Sequence, residues 1–158
     1  MDVRAVLLPL MMTVVFQLAL PLYLIWSVWR GRHETRAEWW MTVASSGLYV
    51  LAIFLVGRWD WVSYYLRFAI AALFLAAVAL GVRRARSRAP SWRARGPWGA
   101  VAGDSLVVVV MLAMIALALR GSSAPDEAVR LDFPLRDGVY YVGQGGDTPL
   151  LNYHNTNA

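Results

Sequence analysis

The chain has 158 residues, of which 59% are hydrophobic, with no cysteine and a formal net charge of +5 from 15 basic and 10 acidic side chains. Soluble globular domains use roughly 45–50% apolar residues, so this composition, with a mean hydropathy of +0.49, points to a bilayer. The lack of cysteine excludes disulfides, thiolate metal sites and cysteine nucleophiles together.

A hydrocarbon core about 30 Å thick is crossed by roughly 20 apolar residues in a helix. Four stretches meet that requirement: Ala5 to Trp29, Trp40 to Val56, Val62 to Val82 and Trp98 to Leu119. No charged residue stands at the centre of any of them, where insertion costs on the order of 2.5–3.5 kcal/mol per charge. The first stretch reads as a retained helix and not as a cleaved signal peptide. Asp2 and Arg4 cancel ahead of it, and its apolar run exceeds the roughly 7–15 residues of a signal peptide core. Pro21 removes a backbone donor inside it and is expected to kink it.

Arginine distribution sets the expected orientation. Arg30, Arg32 and Arg36 follow the first span, and Arg83, Arg84, Arg86, Arg88, Arg93 and Arg95 follow the third without an intervening acid. Basic loops stay in the cytoplasm during insertion, so the Gly57 to Trp61 connection and both termini are expected outside it. A bacterial inner (cytoplasmic) membrane is the expected location. The eight tryptophans, Trp26, Trp29, Trp39, Trp40, Trp59, Trp61, Trp92 and Trp98, avoid the span centres and read as interfacial belts, extended outside by Tyr64 and Tyr65.

The arginines at 83, 84, 86, 88, 93 and 95 are expected to touch anionic lipid headgroups. Neither a recognition helix nor a stacking platform accompanies them, which speaks against nucleic acid. Gly99 with Gly103, and Ala72 with Ala76, have the spacing of small residues that lets helices approach; packing within the four-helix unit is expected of them, with dimerisation as the alternative. Thr13, Gln17, Ser45, Ser46, Arg58, Asp60, Arg67 and Asp104 are the polar positions a transporter would need near the membrane, and they read as satisfied polar groups or helix-end charges.

The chain therefore divides into a four-span unit over residues 1–120, a small-residue linker over 121–128 and an extracytoplasmic β segment over 129–158. Val129 to Leu135 alternates apolar and polar residues, Arg136-Asp137-Gly138 reads as a turn, and Val139 to Val142 is β-branched and aromatic. A hairpin of this size is marginal alone, so it is expected to pack on a partner or to open a longer domain. Gly143-Gln144-Gly145-Gly146 lacks the Lys-Ser/Thr and following helix of a P-loop and reads as a turn.

Leu131-Asp132-Phe133-Pro134-Leu135, the run Gly138 to Gly146 and Leu151-Asn152-Tyr153-His154-Asn155 together resemble the start of the lysostaphin-type zinc metallopeptidase domain of peptidoglycan hydrolases. The resemblance implies a membrane-tethered, hydrolase-like β-domain in the cell envelope, with peptidoglycan as partner and zinc as cofactor of a full-length parent. That family holds zinc with a His followed by an Asp four residues later and with a further His near the domain end. His33 and His154 are the only histidines of this sequence, and each has Ala at the fourth following position (Ala37 and Ala158). No catalytic, cofactor or metal residue is assigned, and the chain is expected to be inert. The alternatives are a small membrane scaffold or assembly protein with a partner-binding tail, and a small-solute transporter.

Overall fold

The computed structural model describes residues 3–31, 33, 35–86, 98–122, 138 and 151. The first span is built from three consecutive helical segments: α1 (Val3–Thr13), a π-helical turn (Val14–Ala19) and α2 (Leu20–Arg30). Then follow α3 (Arg36–Val56), a 3-10 turn (Trp59–Trp61), α4 (Leu66–Arg86) and α5 (Trp98–Gly121). Four stretches, Leu7–Arg30, Arg36–Val56, Leu66–Arg86 and Gly103–Gly121, are long and apolar enough to cross a membrane. Among the described residues there is no strand, and the expected β segment over 129–158 lies outside them except for Gly138 and Leu151.

The π turn answers the sequence signal at Pro21. In an α-helix the proline ring presses on the carbonyl four residues back and leaves it without a donor. Here the helix widens by one residue, so that the Leu20 N–H reaches back five residues to the Val15 carbonyl. In that register the carbonyl opposite Pro21 is Phe16. Its oxygen accepts instead from the Tyr49 hydroxyl of α3, at 2.7 Å.

α3 is the hub of the unit, packing on α2, α4 and α5, while α2 and α4 also pack on each other. Ile25, Val28, Trp39, Val50, Ile53, Trp59, Ile70 and Ala77 form one buried apolar cluster along these faces. Close approach is supplied by glycine: a Cβ on Gly81 would stand 2.9 Å from the Trp39 ring, and one on Gly47 would stand 3.1 Å from Phe74. The expectation that Gly103 and Ala72–Ala76 pack within the unit is not met. Gly103 has open space where its Cβ would be, and Ala72 and Ala76 are exposed. Much of the remaining apolar surface is also exposed, including Leu8, Met11, Leu75, Leu106 and Val109. In water such a surface is an aggregation liability, whereas a bilayer solvates it.

Three boundaries differ from the sequence reading by four residues: the starts of α3 and α4, and the end of α4, which runs past Val82 to Arg86. α4 begins at Leu66 and not near Val62, because the chain first makes the 3-10 turn and then a turn in which the Ser63 carbonyl accepts from the Leu66 N–H at 3.1 Å. α3 begins four residues earlier than Trp40. Thr35 caps it, its hydroxyl accepting from the Glu38 N–H at 3.3 Å, and Glu38 adds the negative charge that a helix N-terminus favours.

Candidate functional site

The end of the bundle where α2 stops, α3 starts and α4 stops is built from arginine, tryptophan and orphan carbonyls. The last carbonyls of a helix lack intrahelical donors. α2 terminates at Gly31, whose φ of 29° turns the chain out and whose N–H serves the Ser27 carbonyl at 2.8 Å. The next two carbonyls are served from other helices. The Trp39 indole N–H donates to Val28 at 3.3 Å, and the Arg84 guanidinium donates to Trp29 at 2.7 Å. Reciprocally, Arg36 at the start of α3 donates to the Arg86 carbonyl at the end of α4, at 2.8 Å.

The cations sit on aromatic faces as well. Arg84 lies 5.6 Å from the Trp29 ring centroid and Arg30 lies 5.5 Å from that of Trp26, distances at which the ring quadrupole attracts a guanidinium. Arg30, Arg83, Arg84 and Arg86 are all exposed, giving a cationic rim at one end of the bundle. Guanidinium groups of this kind are able to donate to phosphate or carboxylate oxygens. Of the six arginines expected to meet headgroups, Arg83, Arg84 and Arg86 form the last turn of α4, and Arg88, Arg93 and Arg95 lie outside the described residues.

At the opposite end, Arg58 pairs with Asp60 at 3.4 Å in the α3–α4 connection and stacks 4.3 Å from the Trp61 centroid. Arg67, in the first turn of α4, lies among Tyr64, Phe68 and Phe54, at 3.8, 4.8 and 5.0 Å from their centroids. These charges sit at helix ends, as the sequence reading places them. The tryptophan reading needs correction at two positions. Trp39 and Trp59 are 0% and 2% exposed, and their indole N–H groups bind main-chain carbonyls of Val28 and Ile53 instead of water or headgroups.

The polar positions within the spans divide differently. Ser45 is satisfied by the Thr42 carbonyl at 3.3 Å, and Thr13 is buried. The Gln17 side-chain oxygen and the Ser46 hydroxyl are buried without a hydrogen-bond partner among the described residues, so the expectation of satisfaction fails for these two. Asp104 stands half-buried on α5.

Comparison with protein-family models, curated proteins and solved structures finds no match to the chain. Function must therefore be argued from the residues themselves. Among the described residues no group of three or more His, Asp or Glu is placed to hold a metal ion. His33 lies in the α2–α3 connection, and His154 with the segment that resembles a metallopeptidase lies outside the described residues. The sequence reading missed Tyr49, Gly47 and Gly81 as structural determinants. For the α3 start, the signal was available in Thr35-Arg36-Ala37-Glu38, a capping-box pattern.

Proposed function

We propose that this chain is a multi-pass membrane protein of the bacterial cytoplasmic membrane. Its four helices hold a C-terminal segment outside the cytoplasm, and that segment is the N-terminal part of a lysostaphin-type metallopeptidase-like domain. The observation that carries the orientation is the gathering of Arg30, Arg36, Arg83, Arg84 and Arg86 at one end of the bundle, where Arg84 bonds the Trp29 carbonyl and Arg36 the Arg86 carbonyl. Such an end is retained in the cytoplasm during insertion, and an even number of spans returns both termini to the other side. The Leu131–Leu135, Gly138–Gly146 and Leu151–Asn155 motifs support the identity of the presented segment.

Zinc hydrolysis needs three protein ligands and an open coordination position for water. The two histidines of this sequence do not fit that requirement, since neither is followed by Asp at the fourth position. No hydrolytic step is assigned to the two histidines, and the role of the 129–158 segment in this reading is presentation to the cell envelope.

The test is a reporter active only outside the cytoplasm. Fused after Gly121 it is expected to be active, and fused at Ser91 it is expected to be silent; the reverse pattern overturns the orientation. Separately, purified full chain incubated with zinc is expected to release no peptides from peptidoglycan, and release would overturn the assignment of a presenting role alone.

A further inference from the structure

Between α2 and α4 runs an apolar groove of about 340 Å³, walled by Leu22, Trp26 and Trp29 on one side and Leu73, Ala76 and Leu80 on the other. Ala76 supplies its depth, because the small side chain lies between the two leucines along α4. From Leu73 to Leu80 the groove extends about 10 Å parallel to the helices, at 1.5 Å per residue. Its walls are exposed, so in the bilayer the groove faces lipid.

The mouth of this groove carries charge. Arg84 stands one turn beyond Leu80 on the same stripe of α4, with its guanidinium over Trp29 and donating to the Trp29 carbonyl. Arg30, the last residue of α2, lies over Trp26. Both tryptophans that wall the groove are thus each overlaid by a cation at the same end of the bundle. A second groove, between α3 and α4 and walled by Gly47, Leu51, Ala71 and Phe74, has no such pair of cations among the described residues, although Arg67 lies near Phe54.

We propose that the α2–α4 groove is a binding site for one anionic phospholipid, with an acyl chain lying along Leu73–Leu80 and the phosphate held at Arg30 and Arg84. Charge complementarity selects this occupant. A second copy of the chain, inserted the same way, would bring its own arginine rim to the same level, and like charges would oppose it. A zwitterionic lipid fills the groove equally well but adds a choline or ammonium cation beside two guanidinium groups. The indole rings give the chain a rigid apolar wall and the glycerol region a donor. The inference rests on the helices spanning a bilayer, and not on which side the termini face; co-flotation of the full chain with vesicles reads that premise separately.

Native mass spectrometry of the full chain in detergent, titrated with phosphatidylglycerol and with phosphatidylcholine of the same acyl chains, tests the site. The first phosphatidylglycerol is expected to bind roughly fivefold or more tightly than phosphatidylcholine, the effect of about one favourable basic contact at a headgroup. R30Q/R84Q is expected to erase that preference and R83Q/R86Q to keep it. A76F fills the groove without touching either cation and is expected to lose the first bound lipid of both kinds. Equal affinity for the two lipids in the unmodified chain would mean annular lipid only and would overturn the site. So would equal losses in R30Q/R84Q and R83Q/R86Q, which would mean diffuse attraction, or self-association that displaces lipid. Arg84 also caps α2, so circular dichroism accompanies each variant; if R84Q fails to fold, R30Q alone and A76F decide, and retention of the lipid preference in both would overturn the proposal.

Discussion

Tyr49 of α3 donates its hydroxyl across 2.7 Å to the carbonyl of Phe16, the oxygen that Pro21 cannot serve. Three features usually treated separately, the proline, the π turn and an interhelical hydrogen bond, are one arrangement here. The proline forces the helix to widen, the widening moves the orphan acceptor from Gln17 to Phe16, and a tyrosine on the neighbouring helix supplies the missing donor. In lipid no water is at hand to do so.

Tyr49→Phe is therefore expected to lower the stability of the unit by about 1 kcal/mol, within the range of hydrogen bonds between membrane helices. In a Pro21→Ala background, where a backbone N–H is restored, the same change is expected to cost less. The check is a double-mutant cycle by denaturant unfolding in mixed micelles. Equal costs in the two backgrounds would show that the hydroxyl does not compensate for the proline.

Glycine at the helix contacts gives a graded prediction. At Gly81 an added Cβ meets the Trp39 ring at 2.9 Å, and that ring is fully buried and tied to Val28, so it has little room to move. At Gly47 the added Cβ meets the far edge of Phe74 at 3.1 Å, a partly buried ring that can shift. Gly81→Ala is expected to cost about 1–3 kcal/mol by overpacking, and Gly47→Ala less. Gly103→Ala, with open space around it, is expected to be neutral or slightly stabilising through helix propensity. Thermal unfolding of the three variants should rank them in that order.

The membrane helices were legible in the sequence because insertion reads composition: four apolar runs without central charges fold as the four long helices. What joins them was not legible. The Tyr49–Phe16 and Arg84–Trp29 contacts link residues 33 and 55 positions apart, and their partners depend on how one helix is set against another, which hydropathy does not encode. Hydropathy also misplaced the start of α4, since Val62, Tyr64 and Tyr65 are as apolar as a helix yet occupy the turn that follows Trp59–Trp61. Reading every indole as interfacial failed at Trp39 and Trp59 for a related reason: a residue at a helix end can reach a neighbour's orphan carbonyl as readily as a headgroup. The β segment over 129–158 lies outside the described residues apart from Gly138 and Leu151, so its reading still rests on sequence.

Ser46 offers a check on the transporter alternative. Its hydroxyl is 1% exposed and lacks a hydrogen-bond partner among the described residues, a cost that alanine would remove. If the residue has no ligand, Ser46→Ala is expected to leave stability unchanged or raise it by up to about 1 kcal/mol. A loss of stability on substitution, measured by unfolding in mixed micelles, would instead indicate that the hydroxyl holds a buried water or solute.

The two buried tryptophans separate a packing effect from a capping effect. Both indoles are buried and both donate to main-chain carbonyls, Trp39 to Val28 and Trp59 to Ile53. Their acceptors differ. The Ile53 oxygen also receives the Gly57 N–H at 2.8 Å, so it keeps a donor when Trp59 is replaced. The Val28 oxygen lies one residue beyond the carbonyl that Gly31 serves, at an end of α2 where donors come from other helices. Replacing either indole by phenylalanine removes a similar volume, and so the loss of packing nearly cancels between the two variants. The difference that remains is the cost of a buried acceptor left without a donor among the described residues, about 1–3 kcal/mol. Trp39→Phe is accordingly expected to destabilise the unit more than Trp59→Phe by an amount in that range, and to increase amide exchange at the end of α2. Equal destabilisation, with exchange at the end of α2 unchanged, would assign Trp39 a packing role only.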